Sequence, residues 1–301
     1  MTSAGVSPQK LPVLSDREFA QFQRLIYSEA GIRLSDDKRT LVSARLARRV
    51  RELALTTFGA YYRRVVGGDG GELTRMLDAI TTNETHFFRE PLQFTLLADG
   101  VCGEWSAQSV AGARPRKLRA WSAACSTGEE PYSMAMVLHD RLAMEGWSVE
   151  IVASDLCTAA LARAREGVWP VERLSAVPRP YLKKYFLRGV ASEAGRAKIG
   201  PVLRSLVEFC HINLSDDSYP LAGTFDAIFC RNALIYFDAV SRAHVLDRLI
   251  ARLAPGGFLF LGHAESLIGT KHRMRSVMPA VYRLPARAER IRCFVPMRLS
   301  A

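Results

Sequence analysis

Five short blocks of this 301-residue chain mix small, polar and apolar residues in ways that packing alone does not require. They are Thr81-Thr82-Asn83-Glu84-Thr85-His86-Phe87-Phe88-Arg89-Glu90, Ala124-Cys125-Ser126-Thr127-Gly128-Glu129-Glu130-Pro131-Tyr132-Ser133, Ala153-Ser154-Asp155-Leu156, the run from Phe229 to Phe237, and Gly257 to Ser266. Asp155 follows an apolar run that reads as a strand. A carboxylate there can accept hydrogen bonds from two ribose hydroxyls, or it can cap the next helix. Ala123, Ala124, Ser126 and Gly128 are small enough for a nucleotide to approach the backbone. The turn lacks the several glycines of a dinucleotide fingerprint. Ser126-x-x-Glu129 and Thr127-x-x-Glu130 both fit a capping box, so each glutamate reads either as a cap or as a ligand.

The other blocks offer orienting groups rather than nucleophiles. A guanidinium at Arg89 suits a carboxylate, or it pairs with its neighbour Glu90. Phe87 and Phe88 read as core anchors. Arg231-Asn232 ends an apolar run, where Asn232 is either a site residue or a turn former. Tyr236 lies four residues further on, within reach of the same pocket, or it is a half-buried tyrosine with its hydroxyl at the surface. The chain shows no Ser-His-Asp set and no metal-ligand spacing.

These residues need elements to hold them. From Asp16 the apolar spacing turns helical, with Phe19, Phe22, Ile26 and Ala30 on one side and Gly31 as C-cap. Asp36-Asp37 opens a second helix with Leu41, Leu46, Val50 and Leu53 as its apolar side. Shorter helices follow over Phe58–Val66 and Glu72–Ile80, giving a four-helix domain over 15–80. Residues 81–115 read as a linker segment, with an Ala, Gly and Ser-rich connection from Ala98 to Pro115. Strands and helices then alternate: strands at Leu118–Ser122, Val149–Ala153, Val207–Ile212, Phe225–Cys230, Phe258–Leu261 and Val281–Leu284, and helices at Pro131–Met144, Thr158–Arg165 and Ala239–Leu253. This predicts a mostly parallel α/β sheet over 116–285. The stretch 167–204 breaks the alternation. It reads as a small antiparallel β insertion with two strands, Tyr185–Val190 and Ala197–Val202. Residues 286–301 form a basic tail.

Composition narrows the partners. The net charge is +11 and the isoelectric point about 9.7, which favours an acidic partner. One basic cluster runs from Arg33 to Arg51, and a second includes Lys271, Arg273, Arg275, Arg283, Arg287, Arg290, Arg292 and Arg298. Arg45, Arg48 and Arg49 fall at i, i+3 and i+4 and share one helix face. The six cysteines form no C-x-x-C pair, which suits reduced thiols in a cytosol. No leader pattern and no membrane span are read, so a soluble, cytoplasmic protein is expected.

In this order the five blocks resemble the chemotaxis receptor methyltransferases, the CheR family, from about Phe19 to Leu284. The resemblance implies an S-adenosylmethionine-dependent methyltransferase (Rossmann-like) sheet with an all-α N-terminal domain. It implies methyl transfer to receptor glutamates, with S-adenosylhomocysteine as product. It assigns Asn83, Thr85, Arg89, Glu129, Asp155, Asn213, Leu214, Arg231 and Asn232 to the cofactor. Arg89 and Tyr236 become the groups that orient the acceptor carboxylate. Arg45, Arg48 and Arg49 would meet the acidic cytoplasmic helices of the receptor. The insertion would be the family's β-subdomain, to which a receptor's C-terminal tether peptide binds in some members by strand addition. His263, Glu265 and Ser266 match the family's loop ending and read as loop support, with Ala264 replacing the usual serine. No metal, no nucleic acid, no membrane insertion and a monomer are expected. A nucleic-acid methyltransferase, motivated by the basic charge, and a cofactor-binding regulator without activity are the competing readings. The first lacks an Asn-Pro-Pro-Tyr signature and aromatics interleaved with its basic clusters.

Overall fold

The computed structural model describes residues 13–68, 70–267 and 272–286. It forms two compact units, one up to Thr82 and one from Asn83 onward.

In the first unit Ser15 and Glu18 form a capping box at the start of α1 (Asp16–Ala30), and Gly31 closes it. Phe19, Phe22, Ile26 and Ala30 are its buried side, as the spacing predicts. A short 3-10 turn, Asp36–Lys38, precedes α2 (Arg39–Glu52). The buried side of α2 is Val42, Leu46, Ala47 and Val50, while Leu41 is exposed. The expected stripe was therefore displaced at its start. The i, i+4, i+8 row from Val42 carries the contact, with Ala47 beside it. Helices α3 (Phe58–Val66) and α4 (Glu72–Ile80) complete the unit.

The second unit begins with a helical run that composition had disguised as a connection. It consists of α5 (Pro91–Thr95), a π-helical turn (Leu96–Val101) and α6 (Cys102–Val110). Phe94, Leu97, Val101 and Trp105 are buried at helical spacing. Gly100, Gly103, Ser106 and Ser109 are helix interior, not a loop.

Seven strands then form one sheet: β1 (Lys117–Ser122), β2 (Ser148–Asp155), β6 (Val207–His211), β7 (Phe225–Cys230), β8 (Leu253–Leu261), β9 (Arg275–Met278) and β10 (Val281–Arg283). Their order is β6-β2-β1-β7-β8-β10-β9. The first four neighbouring pairs are parallel, and β10 pairs antiparallel with both β8 and β9. Strand β9 carries no apolar alternation and was not read from sequence. Helices α7 (Glu129–Leu142), α8 (Thr158–Glu166) and α11 (Ala239–Ala251) lie between the strands in the chain. The period-2 rule divides the sheet between two cores. Phe258 and Phe260 of β8 enter one cluster, and Leu259 and Leu261 the other. Phe229 of β7 stacks on Phe260 at 4.1 Å between ring centroids.

The insertion is a separate three-stranded antiparallel sheet rather than a two-stranded one. Its strands are β3 (Val168–Pro170), β4 (Phe186–Arg188) and β5 (Arg196–Ile199), in the order β3-β5-β4. The added strand, β3, is too short to show periodicity. It carries Trp169, which packs edge-on against Phe87 and Tyr132. Helices α9 (Arg179–Tyr185) and α10 (Pro201–Arg204) complete it. No helix among the described residues is long and apolar enough to cross a membrane. Lys271 and the basic residues from Arg287 onward lie outside the described residues.

Candidate functional site

Parallel strands present their carboxyl ends on one edge of a sheet, where open α/β folds bind ligands. Here the turn after β1 is sewn to both neighbouring strands. Ala123 N–H donates to the Phe229 carbonyl at 2.7 Å, and Cys125 N–H to the Ser154 carbonyl at 2.9 Å. Ser126 has φ +49° and Gly128 φ +97°. A Cβ at Gly128 would lie 3.0 Å from Ala164 and 3.5 Å from the Trp169 ring, so glycine is needed for both angle and space.

Asp155 ends β2 and is locked. Ser126 N–H donates to one of its carboxylate oxygens at 2.7 Å, and Cys157 N–H to the other at 2.8 Å. Helix α8 starts at Thr158 with Cys157 as N-cap, whose side chain makes no cap bond. Asn83 joins the same group. Its Nδ2 donates to Cys157 Sγ at 3.2 Å, and Ser126 Oγ lies 3.5 Å from its Oδ1.

Neither capping box forms. Gly128 is the N-cap of α7 without a side-chain bond. Glu129 is fully buried; Thr127 Oγ1 donates to one carboxylate oxygen at 2.6 Å and Arg173 to the other at 2.8 Å. Arg173 also donates to the Thr85 carbonyl at 2.9 Å. Glu130 turns the other way, accepting from Ser122 Oγ at 2.7 Å and pairing with Arg231 at 3.3 Å. Burial pushes the Glu130 carboxyl up, partly offset by Arg231 and Ser122.

Arg231 has buried partners that the sequence did not show. Its side chain is buried, pairs with Glu130 and Glu90, donates to the Arg89 carbonyl and lies over the Phe94 ring. These contacts fasten the Arg89-Glu90 turn to the end of β7, while the Arg231 Nε is buried without a hydrogen-bond partner. Arg89 is not the ion-pair partner of Glu90. Its guanidinium donates to the Glu84 carbonyl at 3.1 Å, while Glu90 accepts from His263 N–H at 3.0 Å.

Asn232 follows with φ +57°. Glu265 organises this loop, accepting N–H bonds from Asn232, Leu234 and Gly262 at 2.9, 2.7 and 2.7 Å. Burial raises the Glu265 carboxyl despite those bonds. A Cβ at Gly262 would fall 2.6 Å from Asn232 Nδ2. The Asn232 Oδ1 is buried and takes no hydrogen bond. Tyr236 sits on the 3-10 turn Leu234–Tyr236, 36% exposed. At the end of β6 the Asn213 side chain accepts from Ser215 N–H at 3.0 Å, and Leu214 is buried.

The basic face in the helical unit also needs correction. Arg49 grips buried Glu72 with two nitrogens, at 3.0 and 2.7 Å, and Tyr61 Oη donates to the same carboxylate at 3.0 Å. Arg45 donates to the carbonyls of Ile80 and Thr81 at the end of α4 and to Thr82 Oγ1. Arg48, paired with Glu52 at 2.8 Å, has a 79% exposed side chain. Helical spacing put three arginines on one face but could not show that two of them have internal acceptors.

Asn83, Ser126, Asp155 and Glu129 thus line the carboxyl ends of β1 and β2, with Asn232 at the end of β7. Fixed carboxylates, small residues and a buried acceptor without a donor are what a polar nucleoside-type ligand needs, and the arrangement is that of a nucleotide-dependent α/β enzyme. Residues 83–282 match the CheR methyltransferase, SAM binding domain, and residues 17–81 the CheR methyltransferase, all-alpha domain. The chain is 44% identical over 265 residues to chemotaxis protein methyltransferase 2 of Pseudomonas aeruginosa, covering 88% of this chain and 92% of that one. It is 40% identical over 272 residues to the chemotaxis protein methyltransferase of Escherichia coli (90% and 92% covered) and 32% identical over 272 residues to that of Borreliella burgdorferi (88% and 93%). The chain belongs to the CheR methyltransferase family, as its motifs led us to expect. S-adenosylmethionine fits the site on the chemistry of the donors: Asp155 for a diol, and Asn232 Oδ1 as an acceptor for a cationic or N–H group.

Proposed function

We propose that this enzyme esterifies glutamate side chains in the cytoplasmic helical region of chemoreceptors, using S-adenosylmethionine. The supporting observation is the Asp155 clamp: a carboxylate held by two backbone N–H groups at the end of β2, beside Asn83 and Glu129. In this reading Asp155 takes the ribose, Glu129, Asn83 and Thr85 line the rest of the cofactor, and Asn213-Leu214 lies by the adenine. Asn232 offers its unpaired acceptor, and the Arg231 side chain positions the Arg89 turn from behind.

Bound S-adenosylmethionine supplies a methyl group on a cationic sulfonium. The acceptor needs little help, because a glutamate with an ordinary pKa of ~4.3 is already an anion at neutral pH. Arg89 and Tyr236 orient that carboxylate. Orientation of two reactants can be worth roughly 7–11 kcal/mol, which accounts for a site without a general base. Arg48 and the neighbouring exposed arginines attract an acidic receptor helix. The insertion's edge strand β4, with Leu187 57% exposed, suits strand addition by a receptor's C-terminal peptide. We read the working form as a cytoplasmic monomer with no nucleic-acid partner and no membrane insertion.

The test is transfer of labelled methyl to a receptor cytoplasmic fragment, followed by mild alkali. Release of volatile methanol identifies a carboxyl ester. Alkali-stable label, or label only in added nucleic acid, refutes the proposal.

A further inference from the structure

We propose that Arg173, carried by the insertion, is a positioning residue of the cofactor site, so that the insertion builds part of that site rather than serving only as a docking platform. The inference rests on the reading of Glu129 and Thr85 as cofactor residues. One guanidinium nitrogen of Arg173 donates to the Thr85 carbonyl at 2.9 Å and to a Glu129 carboxylate oxygen at 2.8 Å. Thr127 holds the other carboxylate oxygen, so the whole group is fixed in place.

The electrostatics explain why a cation is required. Glu129 is fully buried, and a buried carboxylate without a cation is costly. Among the described residues its ion pair is with Arg173, whose side chain is 45% exposed. The cation therefore stands at the rim with water on one side, while the carboxylate stays dry. Both bonds come from the one Nη2 nitrogen, so arginine's advantage here is its longer, planar and always-charged head; an ammonium is a point charge on a shorter, flexible stem.

Packing makes the clamp stiff. Trp169 of β3 lies four residues before Arg173. Its ring meets Phe87 at 5.0 Å and Tyr132 at 5.6 Å between centroids, both edge-on. Phe87 is two residues from Thr85, and Tyr132 three from Glu129. The segments carrying both acceptors are thus pinned by the insertion strand that leads into Arg173. Leu174 and Val177, both buried, anchor the chain just beyond it. Without Arg173, Glu129 keeps only the Thr127 bond and loses its cation, and the Thr85 carbonyl loses its tie, before any cofactor arrives.

The test is calorimetric binding of S-adenosylhomocysteine to the full chain, with steady-state methyl transfer alongside. Arg173→Ala should weaken binding about tenfold, the loss of one charge-assisted contact discounted for exposure, and Arg173→Lys should recover only part of it. The cofactor KM should rise in parallel while kcat at saturation changes by less than about twofold, since the interaction is made equally in ground and transition states. In a Glu129→Gln background the same Arg173→Ala step should cost less than about threefold, because the two side chains act as one unit. Arg173→Met, which keeps the aliphatic stem, replaces the alanine variant if that does not fold. Wild-type affinity in Arg173→Ala with only a lowered Tm, or additive losses in the double variant, overturns the proposal. If the wild type itself binds no S-adenosylhomocysteine, the cofactor reading fails and this inference fails with it.

Discussion

Replacing Arg231 by methionine separates a positioning role from a cofactor contact. The substitution keeps most of the side-chain volume and removes the charge. It leaves Glu130 and Glu90 without the guanidinium that lies 3.3 Å from each, and frees the Arg89 carbonyl. Breaking a buried ion pair from one side costs ~3–5 kcal/mol. The 3.3 Å separations are long for charged hydrogen bonds, so about 3 kcal/mol is expected. At a urea slope of ~2 kcal/mol/M this lowers the midpoint by roughly 1.5 M. All four tryptophans (Trp105, Trp121, Trp147 and Trp169) lie within residues 83–282, so tryptophan emission follows this unit alone. The loss should also depend on pH. Burial already holds the Glu130 carboxyl above the usual range, with Arg231 offsetting part of that. A raised carboxyl destabilises the native state fully above its folded pKa, and that cost declines as pH falls through the folded value and is gone below the unfolded one. Removing Arg231 raises it further, so the deficit should be largest near pH 8 and shrink toward pH 5. A deficit under about 1 kcal/mol, or one that grows toward acid, would refute the reasoning. Unchanged stability with lost S-adenosylhomocysteine binding would return Arg231 to the cofactor.

Asp155→Ala should abolish measurable cofactor binding by calorimetry, while Tyr236→Phe binds normally and slows transfer by roughly 10- to 100-fold, the loss of one orienting hydrogen bond to a charged group; equal affinity for Asp155→Ala and wild type removes the ribose assignment. Gly262→Ala forces a methyl to 2.6 Å from Asn232 Nδ2 and should weaken cofactor binding about tenfold or more with a loss of ~1–3 kcal/mol in stability, checked by calorimetry and urea unfolding; wild-type values would show that the loop gives way. In the helical unit, burial raises the Glu72 carboxyl, but bonds from Arg49 and Tyr61 more than offset this and hold it below the usual range. The stability it contributes is present above its unfolded pKa and lost as pH falls through the lower folded value. Glu72→Gln should therefore speed hydrogen exchange in α2 and α4 at neutral pH, and the gap to wild type should close only below the ordinary carboxylate range; no gap at pH 7 would remove the network's role.

Local sequence determined most elements of this protein, because apolar period and turn chemistry act over a few residues. The spacing of Phe19, Phe22, Ile26 and Ala30 set α1, and the short apolar run Phe225–Cys230 set β7. The motif blocks placed Asp155, Glu129 and Asn232 after strands, which is enough to put them at the ligand-binding edge of a parallel sheet. Where the local signal was weak, the reading failed. Glycine and serine masked the helix through Ala98 to Val110, and β3 and β9 are too short or too polar to announce themselves. The partners of the charged side chains were decided only in three dimensions. Arg231 fastens Glu90 and Glu130 from the end of β7; Arg49, placed by spacing on a basic face, grips Glu72; Arg173 carried no motif and reaches Glu129 from 44 residues away. A charge's neighbours come from distant parts of the chain, and its role follows from which opposite charge burial leaves beside it.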